Sequence, residues 1–210
     1  MTPLIITKDG SPTFWNPTFG EYYHSITGAK EEAMKKFVEP CELLSRKNPV
    51  LLDVCFGWGY NTAAALDVMA EHPVSVIGME IDNNVLQKIP MTNAPFTSYQ
   101  FIQKCVRKGY ALSNGIWNLS IVVGDVREMI KTIASCSVDC VFLDPFSPKR
   151  CPELWTVNVM NELHRVLKQG GLLTTYSCAR SVRENLKAAG FHVKDGPCIG
   201  RRGPSTIAVR

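Results

Sequence analysis

The sequence predicts an α/β fold: a doubly wound, mostly parallel sheet of seven strands that ends in an antiparallel hairpin, preceded by a small N-terminal extension. Three observations predict it. From Val50 onward, short runs of aliphatic and β-branched residues alternate with helical patterns. Near-continuous apolar strands joined by helical crossovers indicate a parallel sheet covered on both faces. Glycines punctuate the pattern before two strands, Gly170-Gly171 ahead of LLTTY and Gly190 ahead of FHVKD, as glycines that end helices do. The last two strand candidates are joined only by a Gly/Pro/Arg loop, so they pair as a hairpin.

In order along the chain, residues 1–39 form the extension and residues 40–210 the main domain. The extension begins with a hairpin, LIITKDGSPTFWN, whose Asp9-Gly10 is a turn signal. It runs through FGEYYHSITGA into a helix over Lys30–Val38. The sheet starts with Val50–Val54, followed by a glycine turn and a helix over Asn61–Glu71. A strand at Val74–Glu80 and a short helix at Asn83–Ile89 come next. An insertion of about residues 90–117 carries a helix over Tyr99–Leu112. The remaining strands are Leu119–Val123, Val138–Leu143, Leu172–Tyr176, Phe191–Lys194 and Thr206–Val209. Helices at Val126–Ala134, Glu153–Leu167 and Val182–Ala189 separate the first four of these.

Composition narrows the function. The 210 residues are 45% hydrophobic and 20% charged, which is ordinary for one globular domain. No apolar run approaches the roughly 18–20 residues needed to cross a bilayer, and the N-terminal apolar segment is too short for a signal peptide. A cytoplasmic protein is expected. The net charge of +4 is modest, so local clusters matter more: Lys149-Arg150, Arg201-Arg202, and Lys104, Arg107 and Lys108. Such clusters are ordinarily solvated faces. None of the eight cysteines forms a C-x-x-C pair, and no zinc quartet can be completed around Cys136 and Cys140. They read as free thiols, and no metal is expected.

The chemistry gathers at strand ends. In LLDVCFGWGYN (Leu51–Asn61) a strand leads into Gly57-x-Gly59 and a helix start, with Asn61 as a candidate cap. Glycines there let a ligand approach the backbone. The position of a third dinucleotide-fingerprint glycine is Thr62, so a pyrophosphate site is disfavoured. Glu80 ends the next strand 21 residues after Gly59, with Asp82 close behind. At that distance a carboxylate can accept hydrogen bonds from both ribose hydroxyls. The third strand ends in Gly124-Asp125 and the fourth in Asp144. One such acid is usually a helix cap; four in register point to a ligand edge. The combination resembles the class I S-adenosylmethionine (SAM)-dependent methyltransferases, which have a Rossmann-like fold and bind a nucleoside without a phosphate.

Asp144-Pro145-Phe146, within FLDPFSPKR, resembles the Asp/Asn-Pro-Pro-Tyr/Phe motif of methyltransferases that act on amino groups of bases. An amine must present a neutral, oriented lone pair. A carboxylate can hold its N–H, Phe146 offers a stacking face, and proline stiffens the loop.

A narrower likeness extends over most of the chain. FLDPFSPKRCPELWT, GGLLTTYS, VRENLKAAGF and GRRGPSTIAV, with the FGxGYN turn, FGEYYHSITGAKEEA and VGDVRE, resemble the methyltransferase half of the bacterial tRNA 5-methylaminomethyl-2-thiouridine enzymes (the MnmC family) and their stand-alone relatives. The resemblance implies SAM-dependent methylation of the exocyclic amine of 5-aminomethyl-uridine at the tRNA wobble position. With no room for a flavin oxidase domain before Arg210, the stand-alone type is expected. It further implies that Phe56, Gly57 and Gly59 line the methionine end of SAM, Glu80 holds the ribose, and Gly124 and Asp125 the adenine side, with Asn61, Asp82 and Val126 also at the cofactor. Asp144 would hold the methionine amine, the target amine or both, while Tyr22, His24, Ser25, Gly28 and Ala29 close over the cofactor. His24 is a base by type, but a lone histidine in such a segment is ordinarily structural. Lys149, Arg150, Arg201 and Arg202 would take tRNA phosphates, and Phe146 or Trp155 would stack on the wobble base. Two departures bear on this. Cys55 replaces the usual first glycine, and Trp58 sits between the remaining two. The alternatives are an N-methyltransferase for a small molecule or a protein, or a non-catalytic module of the same fold.

Overall fold

The computed structural model describes residues 4–25, 28–200 and 203–210. A small antiparallel sheet comes first. β1 (Leu4–Ile6) pairs with β2 (Pro12–Asn16), and β3 (Glu21–Tyr22) pairs with the far end of β2. Gly10 turns the hairpin at φ 82°, which glycine adopts without a Cβ penalty. Asp9 beside it has a further task. Its Oδ2 accepts from the N–H groups of Lys30 and Glu31 at 2.8 and 3.1 Å, giving the start of α1 (Ala29–Glu32) the anion that a helix N-terminus favours. α1 continues as a π-helical stretch over Ala33–Val38, so the predicted helix is present with a wider last turn.

The large sheet is built on β4 (Val50–Val54), whose side chains alternate between two cores. Leu51 faces the core that contains Phe37, Leu66 and Ile102, and Leu52 and Val54 face the one that contains Met160, Leu163 and Leu186. A sheet with apolar cover on both sides can be parallel. After α2 (Tyr60–Val68), β5 (Val74–Glu80) lies parallel to β4. α3 (Asn83–Lys88) and α4 (Tyr99–Arg107) precede β6 (Ala111–Ser113) and β7 (Trp117–Val123), and β7 pairs in parallel with β5. α5 (Val126–Met129) leads to β8 (Val138–Leu143) on the other flank of β4. α6 (Val157–Val166), β9 (Leu167–Thr175) and α7 (Arg180–Ala188) follow. β10 (His192–Asp195) and β11 (Thr206–Val209) close the sheet as the expected antiparallel hairpin. The order across the sheet is β10-β11-β9-β8-β4-β5-β7-β6.

The sheet therefore has eight strands, one more than the sequence predicts. The predicted helix over Tyr99–Leu112 ends at Arg107 because Gly109 and Tyr110 both turn to positive φ, 83° and 73°. Ala111–Ser113 then pair antiparallel to β7 as an edge strand. A second difference concerns Gly170-Gly171. They lie inside β9, not between a helix and a strand, and the β8–β9 register shifts between Val138 and Cys140. Gly170, at φ 72°, supplies the conformation that such an irregularity requires.

Register brings the site together. Val54 is opposite Met79 and Leu143, and Glu80 is opposite Val123, so β4, β5, β7 and β8 end level. Strand order reverses between β4 and β8, the place where open α/β sheets bind ligands.

Candidate active site

A cavity of about 640 Å³ opens at that level edge, within the range of sites for cofactor-sized ligands. Its floor comes from strand ends and its roof from the N-terminal sheet. Of the residues expected in the site, Gly57, Glu80, Asp82, Asp144, Pro145 and Phe146 line it from below, and Tyr22, His24 and Ser25 from above.

The glycine turn and β5 interlock. Glu80 is 7% exposed. Its Oε2 accepts from the Gly57 N–H at 2.8 Å and its Oε1 from the Asp82 N–H at 2.9 Å. Burial raises the pKa of this carboxyl against those two backbone donors. Cys55 occupies the left-handed region at φ 65°, so the missing first glycine leaves a conformation that costs a side-chain-bearing residue about 1–2 kcal/mol. Its thiol is held protonated by burial and by the nearby negative charge of Glu80. Trp58 does not narrow the cavity. Its indole stacks on Phe14 at 3.8 Å and meets Tyr23 edge-on, filling the seam between the two sheets.

Asp144 follows β8. Its Oδ2 accepts from Asn61 Nδ2 at 2.8 Å, so Asn61 tethers this carboxylate and does not cap a helix; Gly59 is the residue that precedes α2. Burial pushes the Asp144 carboxyl well above its ordinary range, Glu32 pushes it further, and the Asn61 bond pulls it back. Phe146 stacks on Phe19 at 4.5 Å, which covers one of its faces. The loop is tied to the roof by Glu21, whose carboxylate accepts from Ser147 N–H at 3.0 Å and Ser147 Oγ at 2.5 Å.

Several expected site residues are placed elsewhere. Phe56 is buried under the turn, where a Cβ on Gly59 or Gly78 would strike its ring at 2.7 and 2.5 Å. Gly28 packs on Asp9 and Ala29 donates its N–H to Ser11 Oγ, so both anchor α1 outside the cavity lining. Asp125 caps α5 and grips its own Arg127 in a two-pronged pair. Val126 is buried, and Gly124 donates its N–H to the Glu80 carbonyl. Trp155 is 3% exposed and donates from Nε1 to the Phe146 carbonyl at 2.8 Å. It steadies the loop and has no free face for a base. Lys149 and Arg150 are exposed, and Arg150 lies 4.0 Å from Glu21. Arg201 and Arg202 lie outside the described residues.

His24 stacks on Tyr60 at 4.6 Å, and its buried Nδ1 has no hydrogen-bond partner. Burial lowers its pKa to about 4, so the imidazole is neutral at pH 7. The sequence reading passed over Asn16, Phe19, Glu21, Tyr23 and Glu32, all of which line the cavity. The FGEYYH run held a signal for some of them, since dense aromatic and polar residues in a loop ordinarily meet something. Glu32 carried none, because with Lys36 it matches the spacing of any exposed helical ion pair. Among the described residues, no group of His, Cys, Asp and Glu could hold a metal ion, and no helix is long and apolar enough to cross a membrane.

A parallel sheet with a reversed terminal hairpin, a glycine turn and an acid on the neighbouring strand define a class I SAM-dependent methyltransferase. Comparison with known proteins makes the assignment specific: residues 90–210 match the model of a family described as S-adenosyl-L-methionine-dependent methyltransferase, and the chain belongs to that family. MnmC2 from Aquifex aeolicus is 32% identical, with a TM-score of 0.84, over 100% of this chain and 70% of that one. A protein of Methanocaldococcus jannaschii is 33% identical over 99% of this chain. The tRNA 5-methylaminomethyl-2-thiouridine biosynthesis bifunctional protein MnmC of Ralstonia nicotianae is 26% identical over 99% of it. The chain spans 59% and 34% of the lengths of those two relatives. It is thus related to the methyltransferase part of MnmC, and its cofactor is S-adenosyl-L-methionine. The site suits that cofactor, because the turn presents no phosphate-binding glycine helix and Glu80 is fixed beside it as a hydrogen-bond acceptor.

Proposed function

We propose that the protein methylates the exocyclic amine of 5-aminomethyl-uridine, with or without the 2-thio group, at the wobble position of tRNA. The observation that carries this reading is Asp144, a half-buried carboxylate held at one oxygen by Asn61 and facing the cavity beside Phe146. The Ralstonia nicotianae relative acts in tRNA 5-methylaminomethyl-2-thiouridine biosynthesis, which supports the same substrate.

An aliphatic amine with a pKa near that of lysine arrives protonated at pH 7 and cannot act as a nucleophile in that form. Asp144 takes the proton: an N–H bond breaks and an O–H bond forms. Burial makes the transfer less uphill by raising the carboxyl toward the amine. SAM supplies an electrophilic methyl group when bound, with Glu80, Asp82 and the Gly57 turn as its holders. Pro145 limits the loop's freedom, and Trp155 fixes the Phe146 backbone, so the ring is positioned at the cavity wall to meet the pyrimidine. Lys149 and Arg150, with Arg201 and Arg202, are assigned to anticodon-stem phosphates, positioning the tRNA without reading its sequence.

The test is methyl transfer from labelled SAM to tRNA bearing 5-aminomethyl-uridine, against tRNA with plain uridine. Label recovered as the methylaminomethyl nucleoside, on the first tRNA only, is the expected result. Asp144→Ala should lower turnover by about 10²–10⁴-fold while SAM still binds. SAM binding without transfer to either tRNA in the wild type would move the substrate to another amine.

A further inference from the structure

Helix α1 brings a second carboxylate to the cavity. Glu32 lines it with a side chain only 12% exposed, and both oxygens are fixed. Oε2 accepts from the Ser25 N–H at 3.2 Å, and Oε1 accepts from Lys36 Nζ at 2.5 Å. Lys36 is deeper still, its side chain 4% exposed. Removing both charges from water is expensive, and a well-packed apolar pair there would often be as stable or more so. Stability alone does not account for this pair.

The surrounding charges show what the arrangement favours. Glu32, Asp144 and His24 line one space. His24 is neutral, and the charge of Lys36 is already matched by Glu32. The other acids of the lining are engaged: Glu80 with backbone N–H groups, Glu21 with Ser147, and Asp82 with Asn84 N–H and the Tyr23 hydroxyl. Among the described residues lining the cavity there is no lysine or arginine, so the Asp144 end carries carboxylates without a cation of its own. A neutral donor entering there would gain only a hydrogen bond, whereas an ammonium group would gain a charge-assisted one.

We propose that Glu32 is a specificity-determining residue of the site: fixed by Lys36 and Ser25, it selects a substrate carrying a protonated primary amine and presents that amine to Asp144. The ammonium gives one proton to Asp144, and Glu32 keeps its contact with Lys36. This rests on the aminomethyl reading of the site, but not on the amine being part of tRNA.

The test omits SAM and is a binding measurement. 5-Aminomethyluridine and 5-hydroxymethyluridine nucleosides are titrated by NMR into the wild type, into Glu32→Gln, and into Glu32→Gln combined with Lys36→Met. The double variant leaves no buried lysine without its partner, so it keeps the test clear of folding defects. The wild type should prefer the amine by about tenfold or more, as a charge-assisted hydrogen bond implies. Both variants should lose most of that preference, Asp144 supplying the remainder. A wild type without the preference, or a double variant that retains it, would overturn the proposal. If the wild type shows a Glu32-dependent preference yet methylates no tRNA, the tRNA reading falls and the amine selectivity stands.

Discussion

Asp53 sits in the middle of β4, fully buried, with Thr62 Oγ1 donating to its Oδ2 at 2.6 Å and no partner for Oδ1. Burial raises its pKa from 3.8 to about 7, the Thr62 bond opposes this, and the charge of Glu80 adds to it. The folded protein thus holds a proton that the unfolded chain gives up. Stability from this group is complete below about pH 4 and is lost as pH rises through 7. Asp53→Asn should flatten that fall, by about 2–3 kcal/mol between pH 5 and pH 8 in urea unfolding. Equal pH dependence in both proteins would mean that Asp53 is ionised at no cost. At this scale the sequence was legible where backbone and charge coincide, as at Gly57, Glu80 and Asp144. It was silent where a side chain's role depends on burial. Trp155 resembled a stacking platform until its indole was seen donating to a carbonyl, and Asp125 behaves as the helix cap that an acid after a strand usually is.

The N-terminal strands act as one element with the Asp144 loop. Glu21 on β3 accepts both hydrogen bonds from Ser147, and Phe19 covers Phe146. Glu21→Ala should free this tie, worth about 1–3 kcal/mol locally for bonds to a charged acceptor. Amide exchange at Tyr22 and Ser147 should quicken, while exchange in β4 and β8 stays as it was. Unchanged protection at both sites would show that aromatic packing alone holds the roof. The parallel strands were readable from their apolar runs, whereas β6 and β3 were not. Both are edge strands, of only three and two residues, too short for an apolar period to show, and β6 follows a turn at non-glycine positive φ, at Tyr110.

Two expectations concern the molecule as a whole. SAM bound to the folded state only should stabilise it by about 2.7 kcal/mol at 100 times its Kd, a Tm rise of roughly 5–10 °C. No shift under saturating SAM would contradict the cofactor assignment for this chain. Net charge is only +4, so a tRNA footprint has to come from local cations. Lys149→Ala with Arg150→Ala should reduce the log–log salt slope of tRNA binding by about 1.5–2, and an unaltered slope would exclude both from phosphate contact. The roof of the site also has a consequence for synthesis. Glu21 meets Ser147 across 126 residues of chain. At about 5–20 residues per second, the strand leaves the ribosome roughly 6–25 s before its partner exists. Through that interval Phe19 and Tyr23 have no Phe146 to pack against, and the outer edges of β1 and β3 stay open. The newborn extension, not the finished enzyme, is the stage at which this chain is most exposed to aggregation and to the need for a chaperone.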